Sequence, residues 1–379
     1  MRFAPTAVLA ARHRSLREAV RAQALDALIV TNPYNIRYLT NHAGTAGTVV
    51  VTHDSIELLV DFRYQEAVAS LQSSDAACPT LRVRRVGGSY DEALVDALIA
   101  IGVSTAGIEA EHLTVARQEW LMRVFASRSI GIALQSTKRL IEQGRLIKDG
   151  FELAIIRDAA ARLEAVTDQA FVSVRAGVSE REVAAAIEAA MRGAGYDRPA
   201  FDTIVASGPN AALPHHRAGA RNLRAGDLVV LDFGGILDGY CCDLTRMASV
   251  GPPSPEARRL YGAVREAHQA AIEVVRPGVL TSDVDAAARD ILKGHGLGEA
   301  FGHGTGHGLG LEVHEEPRVA RPRSDAREST LEPGMVLTIE PGAYLAGFGG
   351  VRIEDDVLVT ETGCEVLTSI PRDLRICAS

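Results

Sequence analysis

Residues 301–316 read FGHGTGHGLGLEVHEE, with glycine at every second position from Gly302 to Gly310 and three histidines at His303, His307 and His314. No other stretch restricts the fold as tightly. Two histidines four apart can share one face of a metal-binding helix. A helix is disfavoured here, because each interior glycine costs about 1 kcal/mol relative to alanine. The period of two predicts an extended segment instead. One side carries His303, Thr305, His307 and Leu309. The other side is bare backbone, open to close approach by another segment. His314 has the opposite parity to His307, so a bend or a neighbouring strand must return it if it joins the same site. The alternative is a glycine-rich loop with incidental histidines. Carboxylates in matching strand-like contexts elsewhere argue against that reading.

The chain has 379 residues, 47% of them apolar, which suits two domains or one large and one smaller domain. A net charge of −8 argues against nucleic acid as the main partner, and the basic residues 82–85 read as solvated surface. No apolar run approaches the roughly 20 residues that a membrane span needs. Residues 1–10 lack the length and order of a secretory signal. The five cysteines show no CxxC pattern, and Cys241 and Cys242 are adjacent, a poor layout for a structural disulfide. These features predict a reducing, cytoplasmic setting.

The first part alternates helix and strand. Residues 12–25 have helical periodicity, and 27–31 form a short apolar strand ended by the Asn32-Pro33 turn signal. Residues 48–52 and 57–60 are strands, 61–71, 90–101 and 114–124 are helices, and 107–109 is a strand edge. The part contains no nucleotide fingerprint. It reads as a support, dimerisation or specificity domain over residues 1–135. The alternative use is that Asn35, Arg37 or Tyr38 reaches a neighbouring active site. Residues 131–150 are the expected crossing into a second domain, 136–379.

That second part contains a repeat. Residues 175–195, RAGVSEREVAAAIEAAMRGAG, return 101 positions later as residues 276–296, RPGVLTSDVDAAARDILKGHG. Each copy opens on a glycine turn and a polar cap, with Ser179 and Glu182 forming a capping box, and each stops on a glycine-rich end. Each follows a long helical pattern, 152–174 and 255–275, and each precedes a histidine-bearing segment. Two similar halves around a central sheet are expected.

Asp232 lies inside the apolar run VVLDFG, where a carboxylate needs a counter-charge or a metal. Alone it could be a cap or an ion pair. The pattern recurs at Asp243, Glu340 and Glu354, and the Asp238-Gly239 turn can fold Asp243 back beside Asp232. Residues 350–360 read as one strand with Arg352, Glu354 and Asp356 on one face. Four clustered carboxylates repel one another without cations. With His307 they make a mixed oxygen and nitrogen set that suits Mn, Co, Zn or Fe better than Ca. Two such ions could share two of the carboxylates and supply an acidified water as nucleophile.

The motifs LDFGG, GYCCDLTR, HGTGHGLG, TIEPG and GGVRIEDD resemble those of proline-specific metallopeptidases, the Xaa-Pro dipeptidases and Xaa-Pro aminopeptidases. The resemblance covers essentially the whole chain. It implies an α/β N-terminal domain plus an α+β pita-bread catalytic domain with an internal pseudo-two-fold repeat. It implies two divalent ions per subunit, manganese first among them, held by Asp232, Asp243, His307, Glu340 and Glu354. Asp243 and Glu354 would bridge the ions, Asp232 would bind one, and His307 and Glu340 the other. Glu340 would double as general base. His215, in SGPNAALPHH, with His303 and His314 would bind substrate and stabilise the tetrahedral intermediate. Tyr344 and Arg352 would contact substrate or orient a ligand carboxylate. His216 reads as an exposed neighbour. The implied substrate is a small peptide with proline second, and the implied assembly a homodimer or larger homo-oligomer. The dipeptidase and aminopeptidase versions share all these residues. A related hydrolase of a small non-peptide amide is the remaining enzyme reading, and an interaction module on the same scaffold is the non-enzymatic one. Complete ligands favour a peptidase.

Overall fold

The computed structural model describes residues 1–322 and 328–379. The chain divides into two compact units, residues 2–145 and residues 146–379 with Met1.

In the first unit, α1 (Thr6–Ala22), β1 (Ala27–Val30), α2 (Pro33–Thr40), β2 (Thr48–Thr52), β3 (Ile56–Asp61) and α3 (Phe62–Gln72) lead to β4 (Leu81–Val86). Then come α4 (Tyr90–Ile101), β5 (Thr105–Glu109), α5 (Val115–Ser127), β6 (Ala133–Thr137) and α6 (Glu142–Leu146). The strands form one mixed sheet in the order β4-β3-β2-β1-β5-β6. Helices α4 and α5 cover it through Leu94, Leu98, Leu121 and Phe125 packed on Val50, Leu59 and Ile108.

Two expectations change here. Helix α1 begins six residues before residue 12, with Pro5 preceding its first turn. Strand β5 is interior, paired with both β1 and β6. The basic residues 82–85 are at the surface, as expected, on edge strand β4, where Arg84 Nε is 2.7 Å and Arg82 3.5 Å from buried Glu57. Charged side chains are a common feature of edge strands, because they discourage further pairing. Asn35 is fully buried within this unit. Its amide nitrogen donates to Glu109 at 2.7 Å and Glu142 at 2.5 Å, and its oxygen accepts from Arg145 at 2.8 Å. Tyr38 donates to the Gly144 carbonyl at 3.0 Å.

The second unit opens with α7 (Gly150–Ser173) and α8 (Glu180–Gly193), each started by a capping box, Asp149 with Glu152 and Ser179 with Glu182. After β7 (Arg198–Pro199) and β8 (Ile204–Ser207) come β9 (Leu228–Phe233), β10 (Gly235–Leu237), β11 (Tyr240–Cys241) and β12 (Leu244–Val250). The second half repeats the plan with α9 (Pro255–Val274) and α10 (Thr281–Gly294), then β13 (Gly306–Gly308), β14 (Glu315–Val319) and β15 (Val336–Ile339). It continues with β16 (Gly342–Leu345), β17 (Gly349–Arg352), β18 (Asp355–Val359) and β19 (Cys364–Val366), and β20 (Arg375–Cys377) ends the chain. The main sheets run β20-β12-β9-β8 and β14-β13-β15-β18-β19.

The repeat extends to single bonds. Gly177 and Gly278 have φ of 84° and 83°, and their amides donate to Leu223 O and Leu331 O, both at 2.9 Å. Isolated bridges join Ser179 to Asn222 and Leu280 to Thr330. The copies differ at the cap. The residue before α10 is Leu280, which makes no side-chain cap, although the Thr281 amide still donates to Ser329 O at 3.0 Å as the Glu180 amide does to Arg221 O at 3.0 Å.

Strand β9 is buried on both faces. Val229, Leu231 and Phe233 join the core of α7 and α8, while Leu228 and Val230 join that of α9 and α10. Asp232 continues the second row, since alternate residues share a face. Strand β12 does the same, with Met247 on that side and Leu244 and Ala248 on the other.

Candidate metal centre

Two hairpins bring the acids together. In the first, β9 pairs with β12 so that Asp232 faces Thr245. The connecting turn is Asp238-Gly239, with φ of 46° and 82° between paired Leu237 and Tyr240. Positive φ at both central residues is the hairpin geometry that Asp-Gly favours. Asp243 stands just before β12, on the same side as Thr245. In the second hairpin, β15 pairs with β18, Ile339 facing Asp355. One step further along that register Glu340 faces Glu354. Residues 350–360 are not one strand: β17 pairs with β16 in a separate two-stranded sheet, and β18 begins after Glu354. The break turns Glu354 away from a regular ladder and toward the first hairpin. Its amide donates to Thr245 O at 3.2 Å, and the Asp243 amide donates to Asp356 Oδ2 at 3.0 Å.

The glycine-rich segment is a strand only over Gly306–Gly308, with bends at His303, Thr305 and Gly310 and a register shift between His307 and Gly308, so the expected extended conformation holds at its centre alone. Its bare side faces its neighbours: a Cβ on Gly306 would lie 1.9 Å from Thr338 O, and one on Gly308 2.1 Å from Glu316 O. Close strand contact on both sides thus requires glycine. Between them His307 is directed at the acids. Asp243, His307 and Glu354 each offer an atom, all within 4.8 Å of one another. His307 Nε2 is 3.7 Å from Glu340 Oε1. A bend before β14 returns His314, whose ring centroid is 4.2 Å from that of His307.

The remaining expected residues surround this group. Arg352 is 3% exposed. It donates to Asp232 Oδ2, to Thr245 Oγ1 at 3.1 Å and to the Tyr344 hydroxyl at 2.9 Å. Thr245 in turn donates to Glu354 Oε2 at 2.6 Å. His303 Nε2 is 2.9 Å from the Tyr344 hydroxyl. His215 is exposed, and the carbonyl of its neighbour Pro214 accepts from Arg352 Nη1 at 3.4 Å. His216 is not simply an exposed neighbour: its Nε2 is 2.8 Å from the buried carboxylate of Glu180. Sequence reasoning also missed Thr245 and gave Asp356 no role. A hydroxyl and a second acid, each two residues past a candidate ligand, were the available signals.

The electrostatics favour a cation. Burial, reinforced by Glu354, Asp232, Asp356 and Glu340, pushes Asp243 well above the usual carboxylate range. Burial does the same to Glu354, with Glu340 and Asp232 adding to it. Burial lifts Glu340 to about 7 against the pull of Arg352. His307 falls to about 4 through burial and the charge of His314, so its imidazole is neutral and able to ligate. Asp243 Oδ1 is buried with no hydrogen-bond partner among the described residues. An acceptor left unpaired amid other acids fits a positive ion better than any protein donor in view.

Residues 154–361 match the profile of metallopeptidase family M24, and residues 12–147 match that of the creatinase/prolidase N-terminal domain. An Xaa-Pro dipeptidase of Pyrococcus furiosus is 35% identical over 352 residues, 92% of this chain and 95% of that protein. Among solved structures, an Xaa-Pro dipeptidase from Bacillus anthracis has a TM-score of 0.90 at 36% identity, covering 97% of this chain and 99% of its own. An X-Pro aminopeptidase from Thermotoga maritima has a TM-score of 0.85 at 32% identity, covering 96% and 99%. With the acids, the imidazole and the duplicated halves all in accord with these matches, the chain belongs to metallopeptidase family M24, a pita-bread catalytic domain preceded by a creatinase/prolidase N-terminal domain.

Proposed function

We propose that this protein is a divalent-cation-dependent Xaa-Pro dipeptidase. The observation that carries the reading is the convergence of Asp243, His307 and Glu354 on one point, with Asp243 Oδ1 unpaired. In this reading Asp232, Asp243, His307, Glu340 and Glu354 hold two ions, manganese by preference. Bound cations would polarise the scissile carbonyl and acidify water.

The protein's own groups do the rest. Glu340 takes a proton from the attacking water and passes it to the leaving proline nitrogen. An Xaa-Pro bond is a tertiary amide without an N–H, so the site must recognise the proline ring by shape. His314, kept neutral by burial, can donate to the developing oxyanion or the substrate carboxylate, with His215 as a further substrate-binding group. The one N–H of neutral His303 goes to Gly304 O at 2.7 Å, so its Nε2 accepts from Tyr344 and its role is to orient that hydroxyl. Arg352 and Tyr344 hold Asp232 and His303 in register.

Hydrolysis of Ala-Pro and Ala-Pro-Ala by chelator-treated and Mn²⁺-reconstituted protein tests this. Mn²⁺-dependent cleavage of Ala-Pro with little release from Ala-Pro-Ala is expected. Equal cleavage of Ala-Ala, or activity that survives chelation, would end the proposal. Cleavage of Ala-Pro-Ala instead selects the aminopeptidase reading, which the likeness to the Thermotoga maritima structure supports.

No helix among the described residues is long and apolar enough to cross a membrane. The cysteines are free thiols, which supports a reducing, cytoplasmic location.

A further inference from the structure

The two halves of the catalytic unit share a device that the metal site does not explain. On the second helix of each half lies a buried carboxylate, Glu180 on α8 and Asp285 on α10, 0% and 1% exposed. Each accepts both the N–H and the O–H of a single hydroxyl residue at a strand beside the site. Glu180 Oε1 takes the Ser207 amide at 2.9 Å and its hydroxyl at 2.7 Å. Asp285 Oδ1 takes the Thr305 amide at 3.1 Å and its hydroxyl at 2.8 Å.

Beyond that common grip the two diverge. Glu180 also accepts from Asn210 Nδ2 at 2.9 Å and the Gly219 amide at 3.2 Å, and meets His216 Nε2 at 2.8 Å. It therefore pins the 207–219 loop on both sides of His215 and touches none of the metal-ligand segments. Burial alone would raise its pKa, but the bonds from Ser207, His216 and Asn210 outweigh burial and lower it, which keeps the anion. Asp285 instead pairs with Arg289 through two bonds of 2.6 and 3.0 Å. Arg289 donates to Phe301 O at 3.0 Å and to His303 O. Thr305, gripped by Asp285, accepts the Glu340 amide at 2.7 Å through its carbonyl and stands two residues before His307.

We infer that Glu180 and Asp285 are a matched pair of positioning residues with separate charges: Glu180 sets the substrate-facing loop of His215, and Asp285 sets the strand that presents His307 and Glu340 to the cations. The inference rests on the metal-centre reading above. Neither residue touches a reacting atom; each acts through the loop it holds.

The full-length protein is the test, with Mn²⁺ affinity measured by calorimetry and KM and kcat measured separately. Thr305→Val removes one donor to Asp285 at nearly constant volume and is expected to weaken Mn²⁺ binding about 10-fold, the scale on which partners of metal ligands act. Thr305→Ser keeps the hydroxyl and is expected to restore wild-type affinity. Glu180→Gln and the milder Ser207→Ala are expected to leave Mn²⁺ affinity unchanged while lowering kcat/KM about 10-fold. Thermal melts of all four identify any variant that fails to fold, and Thr305→Ala or Ser207→Ala, each of which deletes one donor, then carries the comparison. Mn²⁺ affinity and kcat/KM that move together in every variant, or in none, overturn the inference while leaving the metal centre standing. Wild-type protein that binds no Mn²⁺ overturns the metal centre and this inference with it.

Discussion

Gly306→Ala probes the contact on which the site's geometry depends. The new Cβ would meet Thr338 O at 1.9 Å and Thr338 C at 2.8 Å, where ordinary contact begins at 3.4 Å. The obstacle is backbone, so no side chain can swing aside. Strands β13 and β15 must part by the difference, 3.4 − 1.9 = 1.5 Å. The flanking bonds, Glu340 N to Thr305 O at 2.7 Å and Leu309 N to Val336 O at 3.1 Å, then fall outside hydrogen-bonding range. Two bonds at about 1 kcal/mol each, with about 1–3 kcal/mol of overpacking strain, give a loss of roughly 3–5 kcal/mol. That is a large share of the roughly 5–15 kcal/mol that holds a typical domain together. The displacement also exceeds several-fold the roughly 0.2 Å latitude of metal–ligand distances, so cation affinity must fall too. Gly302→Ala is the control, because nothing lies within 4 Å of its Cβ. Its effect should stay within about 0.5 kcal/mol. Gly304→Ala, whose Cβ would meet Ala320 Cβ and Val319 O at 3.0 Å, should fall between the two. Urea unfolding in chelator, followed by Mn²⁺ calorimetry, reads both effects. Equal midpoints for Gly306→Ala and Gly302→Ala would refute the steric argument.

Two further outcomes are expected. In chelator, Glu340 has a folded pKa of about 7 against an ordinary 4.5, so the folded state binds its proton more tightly. Metal-free stability should therefore decline as pH rises through that window, by an amount on the order of 3 kcal/mol; Glu340→Gln should flatten the slope of Tm between pH 5 and 8, and an unchanged slope would contradict the assignment. Tyr344→Phe removes a hydroxyl 2.9 Å from both Arg352 and His303. It should lower kcat/KM by about 100-fold, from about 2 kcal/mol for the charged and about 1 kcal/mol for the neutral hydrogen bond, with unchanged Mn²⁺ stoichiometry by metal analysis.

How much was readable beforehand follows the range of the forces. The Asp238-Gly239 turn, the Ser179 capping box and the alternating glycines were legible because turn dihedrals, caps and Cβ clashes act over a few residues. The duplicated helix pairs were legible because their glycine stops recur in sequence. Residues 82–85 are the solvated patch that was expected, but that they form strand β4 was not legible, because its pairing with β3, which carries Glu57, comes only with the fold. His216 was misread for a similar reason: its partner, Glu180, is 36 positions away on a helix whose polar face gives no hint of burial.

The chain's local pattern dictated that acids would lie inside apolar strands and that a histidine would stand on a strand bare enough to be gripped from both sides. It did not dictate which acid would meet which base. Arg352 with Asp232 spans 120 positions, and Thr245 with Glu354 spans 109. Those pairings exist because the two hairpins meet across a shared core, with Val230 and Met247 of the first in one cluster with Leu337 and Ile339 of the second. A periodicity specifies which face a side chain occupies, but only the packing of one face on another specifies its neighbours.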